Sequence, residues 1–278
     1  MSTIEGLGRF GVYTFDFEHQ PAGMIRDSAR ELEDMGWRAF WFPEVGGREA
    51  FSLAAFLLDS TRDLHVVNGI AQITARTARA THGAATLLGE TGRHLLGLGL
   101  GQGRPGTKPL TAMTEYLDEL DAADKPVPRV LAAYGPKMLA LSRDRAAGAH
   151  TYHVTVAHTA QAREILGPDR FLGVEHAVLF ETDADRARAV AREHLHVYLT
   201  TPFNVAKFRR LGYTEEEITG AADRIVDDLV FWGDLDTIAA KLREHVDAGA
   251  DHVAVHVIGV EPGQSALPRW RELAEALL

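Results

Sequence analysis

Glycines and histidines are the residues of this chain whose types and spacing most directly suggest chemistry. Residues 93–106, RHLLGLGLGQGRPG, contain Gly101-Gln-Gly-Arg-Pro-Gly106, which matches the G-x-G-x-x-G spacing that cradles a dinucleotide pyrophosphate. That chemistry requires the loop to open directly into a helix. Here Pro105, Gly106 and Pro109 break the chain before helical patterning resumes near Leu110, so a Rossmann phosphate loop is rejected. What remains is an apolar strand, Leu95, Leu96, Leu98 and Leu100, interleaved with Gly97, Gly99 and Gly101, whose bare backbone offers a surface for something flat or bulky. The histidines, thirteen in all, raise a second chemistry. His150, His153 and His158 lie close in sequence, and His252 and His256 share one face if their segment is a strand. A metal-dependent hydrolase built on His150, His153 or His256 is one reading of this pattern. No carboxylate recurs at tight spacing with these histidines, however, and a metal site needs three or four ligands with hydrogen-bonding support, so no metal is expected. The Val253, Val255 and Val257 face reads as packed on helices, which turns Ala254 and His256 inward.

The elements that must position these residues follow one rhythm. Apolar or β-branched strand patterns occupy residues 10–15, 37–42, 64–73, 95–101, 129–134, 149–156, 171–180 and 251–258. Helical patterns follow at 24–35, 51–58, 78–90, 110–123, 136–147, 159–166 and 267–278. Eight strands, each followed by helix, is the count of a (β/α)8 TIM barrel in the α/β class. No linker divides the chain, so residues 1–278 read as a single domain, and the mostly helical stretch 183–250 between the seventh and eighth strands reads as an insertion, lid or interface. Barrel sites form where strand C-terminal ends meet their loops. That rule selects Phe15, Asp16, Glu44, residues 69–76, 99–104, 134–137 and 152–158 (Tyr152 and His153 among them), Glu181 and His256.

Composition narrows the function classes. The chain has 278 residues, no cysteine and a formal charge of -10. Disulfides, thiolate catalysis and cysteine-based metal sites are excluded. The acidic balance argues against general binding to nucleic acid or anionic membrane. The N-terminus lacks a basic region followed by an apolar core, and no apolar run approaches the roughly 18 residues of a membrane span, so a cytoplasmic protein is expected.

Five segments in this order resemble the luciferase-like oxidoreductases, in particular the branch that uses the deazaflavin coenzyme F420. They are Gly36-Trp-Arg-Ala-Phe-Trp-Phe-Pro-Glu44, Asn68-Gly-Ile-Ala-Gln-Ile-Thr-Ala-Arg-Thr77, Leu95-Leu-Gly-Leu-Gly-Leu-Gly101, Leu131-Ala-Ala-Tyr-Gly-Pro-Lys-Met138 and Ala248-Gly-Ala-Asp-His-Val253. The resemblance covers nearly the whole chain. It implies a bacterial luciferase-like barrel that holds a tricyclic ring at its strand ends and exchanges a hydride between the deazaflavin and a small organic substrate. It further implies a bulge in the third strand with a non-proline cis peptide, which falls at Gly69-Ile70. Gly99 and Gly101 would keep the floor beneath the ring bare, with Gln102 and Tyr152 at its edge. The cofactor phosphate would sit at Gly135-Pro136-Lys137-Met138, where backbone approach, a helix N-terminus and a lysine charge coincide. Arg76, with Arg79, Arg104 and Lys108, would pair with the acidic tail of the deazaflavin.

One departure stands out. Several members of the family carry an acidic residue followed by histidine at the end of the second strand, whereas this chain has Glu44-Val45. Val45 cannot move a proton, so Glu44, Gln72, His153 or His256 would supply any acid or base, or the chemistry would proceed with the cofactor alone. The alternatives are an FMN-dependent luciferase-like monooxygenase and a non-catalytic cofactor-binding barrel. Pairing of two copies as a homodimer is expected from the family habit.

Overall fold

A computed structural model describes residues 4–101, 106–260 and 264–278. Among these residues ten strands form one sheet: β1 (Phe10–Tyr13), β2 (Ala39–Phe42), β3 (His65–Asn68), β4 (Ala71–Gln72), β5 (His94–Gly99), β6 (Arg129–Ala132), β7 (Gly148–Tyr152), β8 (Phe171–Phe180), β9 (Val230–Gly233) and β10 (His252–Val257). The pairing order runs β10-β1-β2-β3-β5-β6-β7-β8, and β10 pairs again with β8 in parallel register, from His252 opposite Gly173 to Val257 opposite Val178. The sheet therefore closes. β3 and β4 both lie beside β5 and are two pieces of one stave, interrupted by a cis peptide at Gly69-Ile70. Counted in this way the barrel has eight staves with helices between them, a (β/α)8 TIM barrel as expected.

Side-chain alternation builds two cores. Val12, Phe40, Phe42, Val66, Leu96, Leu98, Leu131, Val253, Val255 and Val257 point outward and pack with the helices in one cluster. The inward set, Tyr13, Ala39, Trp41, Val67, Leu95, Val130 and Ala254, fills the barrel interior. The opposite assignments of Ala254 and its valine neighbours follow from the two-residue period of a strand.

The helices begin where the chain supplies caps. Thr77, Thr155, Asp183 and Asp234 each accept a hydrogen bond from a first-turn N–H. Thr155 explains why the helix Val156–Leu166 starts three residues before its apolar pattern does.

The stretch 183–250 is less uniform than its helical pattern suggests. Helices Ala184–Thr200, Pro202–Arg210, Glu215–Thr219 and Asp223–Leu229 form the insertion and pack around their own apolar cluster, which includes Leu195, Phe208, Ile225 and Leu229. Val230-Phe-Trp-Gly233 then turns out to be strand β9, parallel to the end of β8, and Leu235–Asp247 is the barrel's own helix before β10. A four-residue β-branched and aromatic run gives too short a periodic signal to separate from flanking helix. No helix among the described residues is long and apolar enough to cross a membrane.

Candidate active site at the C-terminal end of the barrel

A cavity of about 440 Å³ opens at the C-terminal ends of the strands. Its wall comes from β1 and its loop (Tyr13, Phe15), the end of β2 (Pro43, Glu44, Val45), the β3–β4 bulge (Gly69, Ile70, Gln72), Gly101, Ala132, β7 and its loop (His150, Tyr152, His153), Glu175 of β8, and the insertion (Val197, Tyr198, Thr201, Phe203, Asn204). A second cleft of about 500 Å³ lies at the opposite end of the barrel, between residues 4–7 and the loop 125–128. Chemistry in this fold belongs to the first, because the βα loops converge there.

The bulge is held in place from three sides. The Tyr13 hydroxyl donates to the Gly69 carbonyl at 2.8 Å, at the cis peptide itself. Burial raises the Tyr13 pKa well above its usual value, so the hydroxyl stays a donor. On the far side lies the glycine strand β5. A β-carbon on Gly97 would run into the Asn68 carbonyl, and one on Gly99 would stand 2.5 Å from Ile70 Cγ1. One on Gly101, which has φ +61°, would overlap the Gln72 amide. These glycines therefore make room for the bulged stave. They do not leave an open floor, and Gly99 lies beneath Ile70 and does not line the cavity. The bare surface expected from the alternation is real, but its first occupant is the protein's own chain.

The third support is Glu44. Its carboxylate accepts from the Arg76 guanidinium through both oxygens (2.9 Å for Nη1 to Oε2), from the Gln72 backbone N–H at 2.7 Å and from the Ala50 N–H at 3.2 Å. The Gln72 side-chain amide returns a bond to the Glu44 carbonyl. Both Glu44 and Gln72 thus line the cavity as expected, but Glu44 has no free oxygen with which to accept a substrate proton, which corrects the acid/base role read from its position. Arg76 is corrected for the same reason. Its guanidinium is engaged by Glu44, by Glu49 at 2.9 Å and by the Gln72 carbonyl at 3.2 Å, and it stands over the Phe51 ring. It buckles β2 to the bulge and is not a spare cation for an anionic tail.

His153 is different. It ends β7 with a left-handed φ of +46°, is 2% exposed, and its Nδ1 has no hydrogen-bond partner. Glu175 Oε2 lies 3.9 Å from that nitrogen, and Oε1 of the same carboxylate is 3.2 Å from His256 Nδ1. Burial lowers the His153 pKa well below its usual value and lowers that of His150 to about 3, so both rings are neutral near pH 7. Most other buried histidines are committed to protein partners: His252 to Trp41 and the Gly8 carbonyl, His245 to His176 and Thr159, His158 to the Tyr134 carbonyl.

Gly135 caps the helix Pro136–Arg145 with an extended backbone and no side-chain capping bond. The first-turn N–H of Lys137 therefore lacks an intrahelical acceptor. The nearest atom to a β-carbon placed on Gly135 would be Arg210 Nη1, at 3.9 Å, reaching over from the insertion helix Pro202–Arg210. Among the described residues Arg210 makes no ion pair. Gly135, Pro136, Lys137 and Met138 stand beside the cavity and not on its wall. Gln102 and Arg104 lie outside the described residues.

Sequence reasoning missed Tyr13, Glu175 and the residues of the insertion. Glu175 had a signal: Glu175-His176 is a polar pair inside an otherwise apolar strand, FLGVEHAVLF. Asn204, Lys207 and Arg210 had none, since only tertiary packing brings their helix over the barrel mouth.

Comparison with known proteins agrees with this architecture. The sequence profile of the family described as luciferase-like monooxygenase matches residues 9–109, the part that carries β1 to β5. A Mycobacterium tuberculosis protein named as a coenzyme F420-dependent oxidoreductase is 24% identical over 316 residues, covering 85% of this chain and 91% of that one. Two solved structures share the fold across nearly their whole length. One is an F420-dependent secondary alcohol dehydrogenase in complex with an F420-acetone adduct (TM-score 0.75, 12% identity, 98% of this chain and 99% of the other). The other is the oxygenating constituent of the Pseudomonas putida 3,6-diketocamphane monooxygenase in complex with FMN (TM-score 0.67, 15% identity, 98% and 99%). The fold is thus a (β/α)8 barrel, and its residues 9–109 are similar to the luciferase-like monooxygenase family.

Proposed function

We propose that this barrel is an F420-dependent oxidoreductase that exchanges a hydride between the deazaflavin and a small organic substrate. The observation that carries the reading is the bulged third stave, whose break between β3 and β4 sets Ile70 on the wall of the strand-end cavity. The cavity volume lies within the roughly 300–1,000 Å³ of ligand clefts, and its aromatic wall suits a flat ring. Ile70 would support the ring from one face, with Gly101, Gln72 and Tyr152 at its edge. Lys137, Arg210 and the N-terminus of the helix at Gly135 and Pro136 would take the phosphate, as donors and positive charge converge there. When bound, the deazaflavin supplies a two-electron hydride carrier.

The chain's own contribution is to bind, orient and handle protons. His153 would be the cavity residue that handles a substrate proton, with its Nδ1 turned towards Glu175 Oε2 at 3.9 Å. Glu44 and Arg76 contribute by fixing the bulge. The fold is shared with the FMN-bound monooxygenase, and that favours one alternative, an FMN-dependent monooxygenase. Titrating the purified chain separately with F420 and with FMN, followed by fluorescence, tests the choice. Tighter binding of F420 is expected, and tighter binding of FMN overturns the deazaflavin reading.

A further inference from the structure

The cavity wall carries two carboxylates, Glu44 and Glu175, and among the described residues no lysine or arginine lines it. The Glu44 charge is spent on Arg76. Glu175 is not matched in this way. It is 2% exposed, and among the described residues its ion-pair partners within 4 Å are the histidines His153 and His256. Oε1 is taken up by His256, whereas Oε2 has one long contact, from the His153 N–H at 3.4 Å. Buried Lys207 interacts with the Glu175 charge through space but does not bond its spare oxygen, since its Nζ donates to the Tyr152 carbonyl at 3.1 Å and sits among the Tyr134, Tyr152 and Phe208 rings. A buried carboxylate with a spare oxygen is costly unless something pairs with it.

The approach to Glu175 has a matching character. Tyr13, Phe15, Tyr152 and Tyr198 surround the inner cavity with ring faces and edges, a setting that favours a positive charge. The mouth is apolar: Val45, Val197 and Phe203 are 58%, 62% and 50% exposed, and all three line it. Those are three of the six large apolar side chains exposed among the described residues, so the apolar surface is concentrated at this opening.

From this arrangement we infer that the substrate is an organic amine. Its ammonium group pairs with Glu175 Oε2 in the inner cavity, and its apolar body lies against Val45, Val197 and Phe203. Carboxylate- and phosphate-bearing substrates are disfavoured, because the inner wall would meet their charge with another negative charge and with neutral histidines. This inference names the substrate class for the activity proposed above and rests on that reading for the reaction alone; the binding preference stands independently of any cofactor.

The test uses three probes that share one apolar body: cyclohexylamine, cyclohexanol and cyclohexanecarboxylate. Each is titrated at pH 7 into the full-length chain without cofactor, and binding is followed by ligand-observed NMR and calorimetry. The amine is expected to bind about tenfold or more tighter than the alcohol, and the carboxylate weakest, as befits one charge-assisted hydrogen bond. Glu175→Gln should abolish the preference for the amine over the alcohol, and Phe203→Ala should weaken amine and alcohol alike. Equal affinities, tightest binding of the carboxylate, absence of binding by all three, or an amine preference that survives Glu175→Gln would each overturn the assignment. If Glu175→Gln does not fold, the ranking of the three probes on the unaltered chain decides. Because F420 binding is measured separately, amine binding without F420 binding would leave this inference standing and remove the deazaflavin reading.

Discussion

Replacing Arg76 with methionine separates its two possible jobs, clamp and cofactor ligand. Methionine keeps the apolar stem against Phe51 but removes the donors that meet both Glu44 oxygens. The Glu44 and Arg76 side chains are only 9% and 10% exposed, so the carboxylate cannot simply turn to water. Breaking a buried pair from one side costs about 3–5 kcal/mol, and the upper half applies here because no second cation among the described residues pairs with Glu44. The reverse change is milder. In Glu44→Gln the guanidinium keeps Glu49 at 2.9 Å and the Gln72 carbonyl, so a loss of about 1–2 kcal/mol is expected. The double variant should recover part of the deficit, with a coupling of about 2 kcal/mol. Urea unfolding monitored by tryptophan fluorescence and circular dichroism gives all four stabilities, and F420 titration gives the affinities. If Arg76→Met unfolds at the same urea concentration as the parent while F420 affinity collapses, Arg76 is a cofactor ligand and the clamp reasoning is wrong.

Three further outcomes follow from the same geometry. Gly97→Ala drives a β-carbon into the Asn68 carbonyl and should cost about 3 kcal/mol, whereas Gly83→Ala, on the exposed face of the helix Ala78–Gly89 with nothing within 4 Å, should stabilise by about 0.5–1 kcal/mol; equal effects in urea unfolding would refute the packing argument. Burial lowers the pKa of His94, His194, His245 and His252 to about 4 and of His150 to about 3, below the 6.5 of the unfolded chain. The unfolded state then binds more protons below pH 6.5, so stability is complete above that pH and falls towards pH 4 by up to about 1.4 kcal/mol per pH unit for each ring; a flat stability curve from pH 7 to 4.5 would contradict the neutral assignments. Lys207 is lowered to about 7 by burial, so stability should rise between pH 7 and 10.5 as the unfolded lysine loses its excess proton, and Lys207→Met should remove that rise.

Much of the barrel was legible because it rests on local and periodic signals. The eight strand patterns placed the staves to within a few residues, whereas the break in the third, at Gly69-Ile70, was implied by the family resemblance alone. The inward turn of Ala254 followed from strand alternation alone. Position at a strand end brought Glu44, Gln72, Tyr152 and His153 to one cavity. Sequence position could not say which of them is free to react. That depends on partners far along the chain: Arg76 lies 32 residues from Glu44, and Tyr13 lies 56 from the carbonyl it holds. The glycines of β5 show the same limit, because their spacing predicts a close approach without naming what approaches.

The insertion was the least legible part, and the reason bears on function. Its helices Ala184–Thr200 and Pro202–Arg210 bury Leu195, Leu199 and Phe208 in a cluster of their own, so their apolar pattern reports that cluster and not the barrel below. The residues they present to the site, Tyr198, Phe203 and Asn204 at the cavity and Arg210 at the Gly135 turn, occupy the remaining helix faces. Phe203 and Val197 on those helices stay half or more exposed and can vary at little cost to either core, whereas the bulge, Glu44 and Arg76 are tied into a hydrogen-bonded buckle. The arrangement therefore divides labour: the barrel fixes the inner wall of the cavity, and the insertion shapes its mouth. Exchanging Phe203 and Val197 should accordingly change ligand preference with little change in urea stability, while exchanging any member of the Glu44 buckle should change stability first.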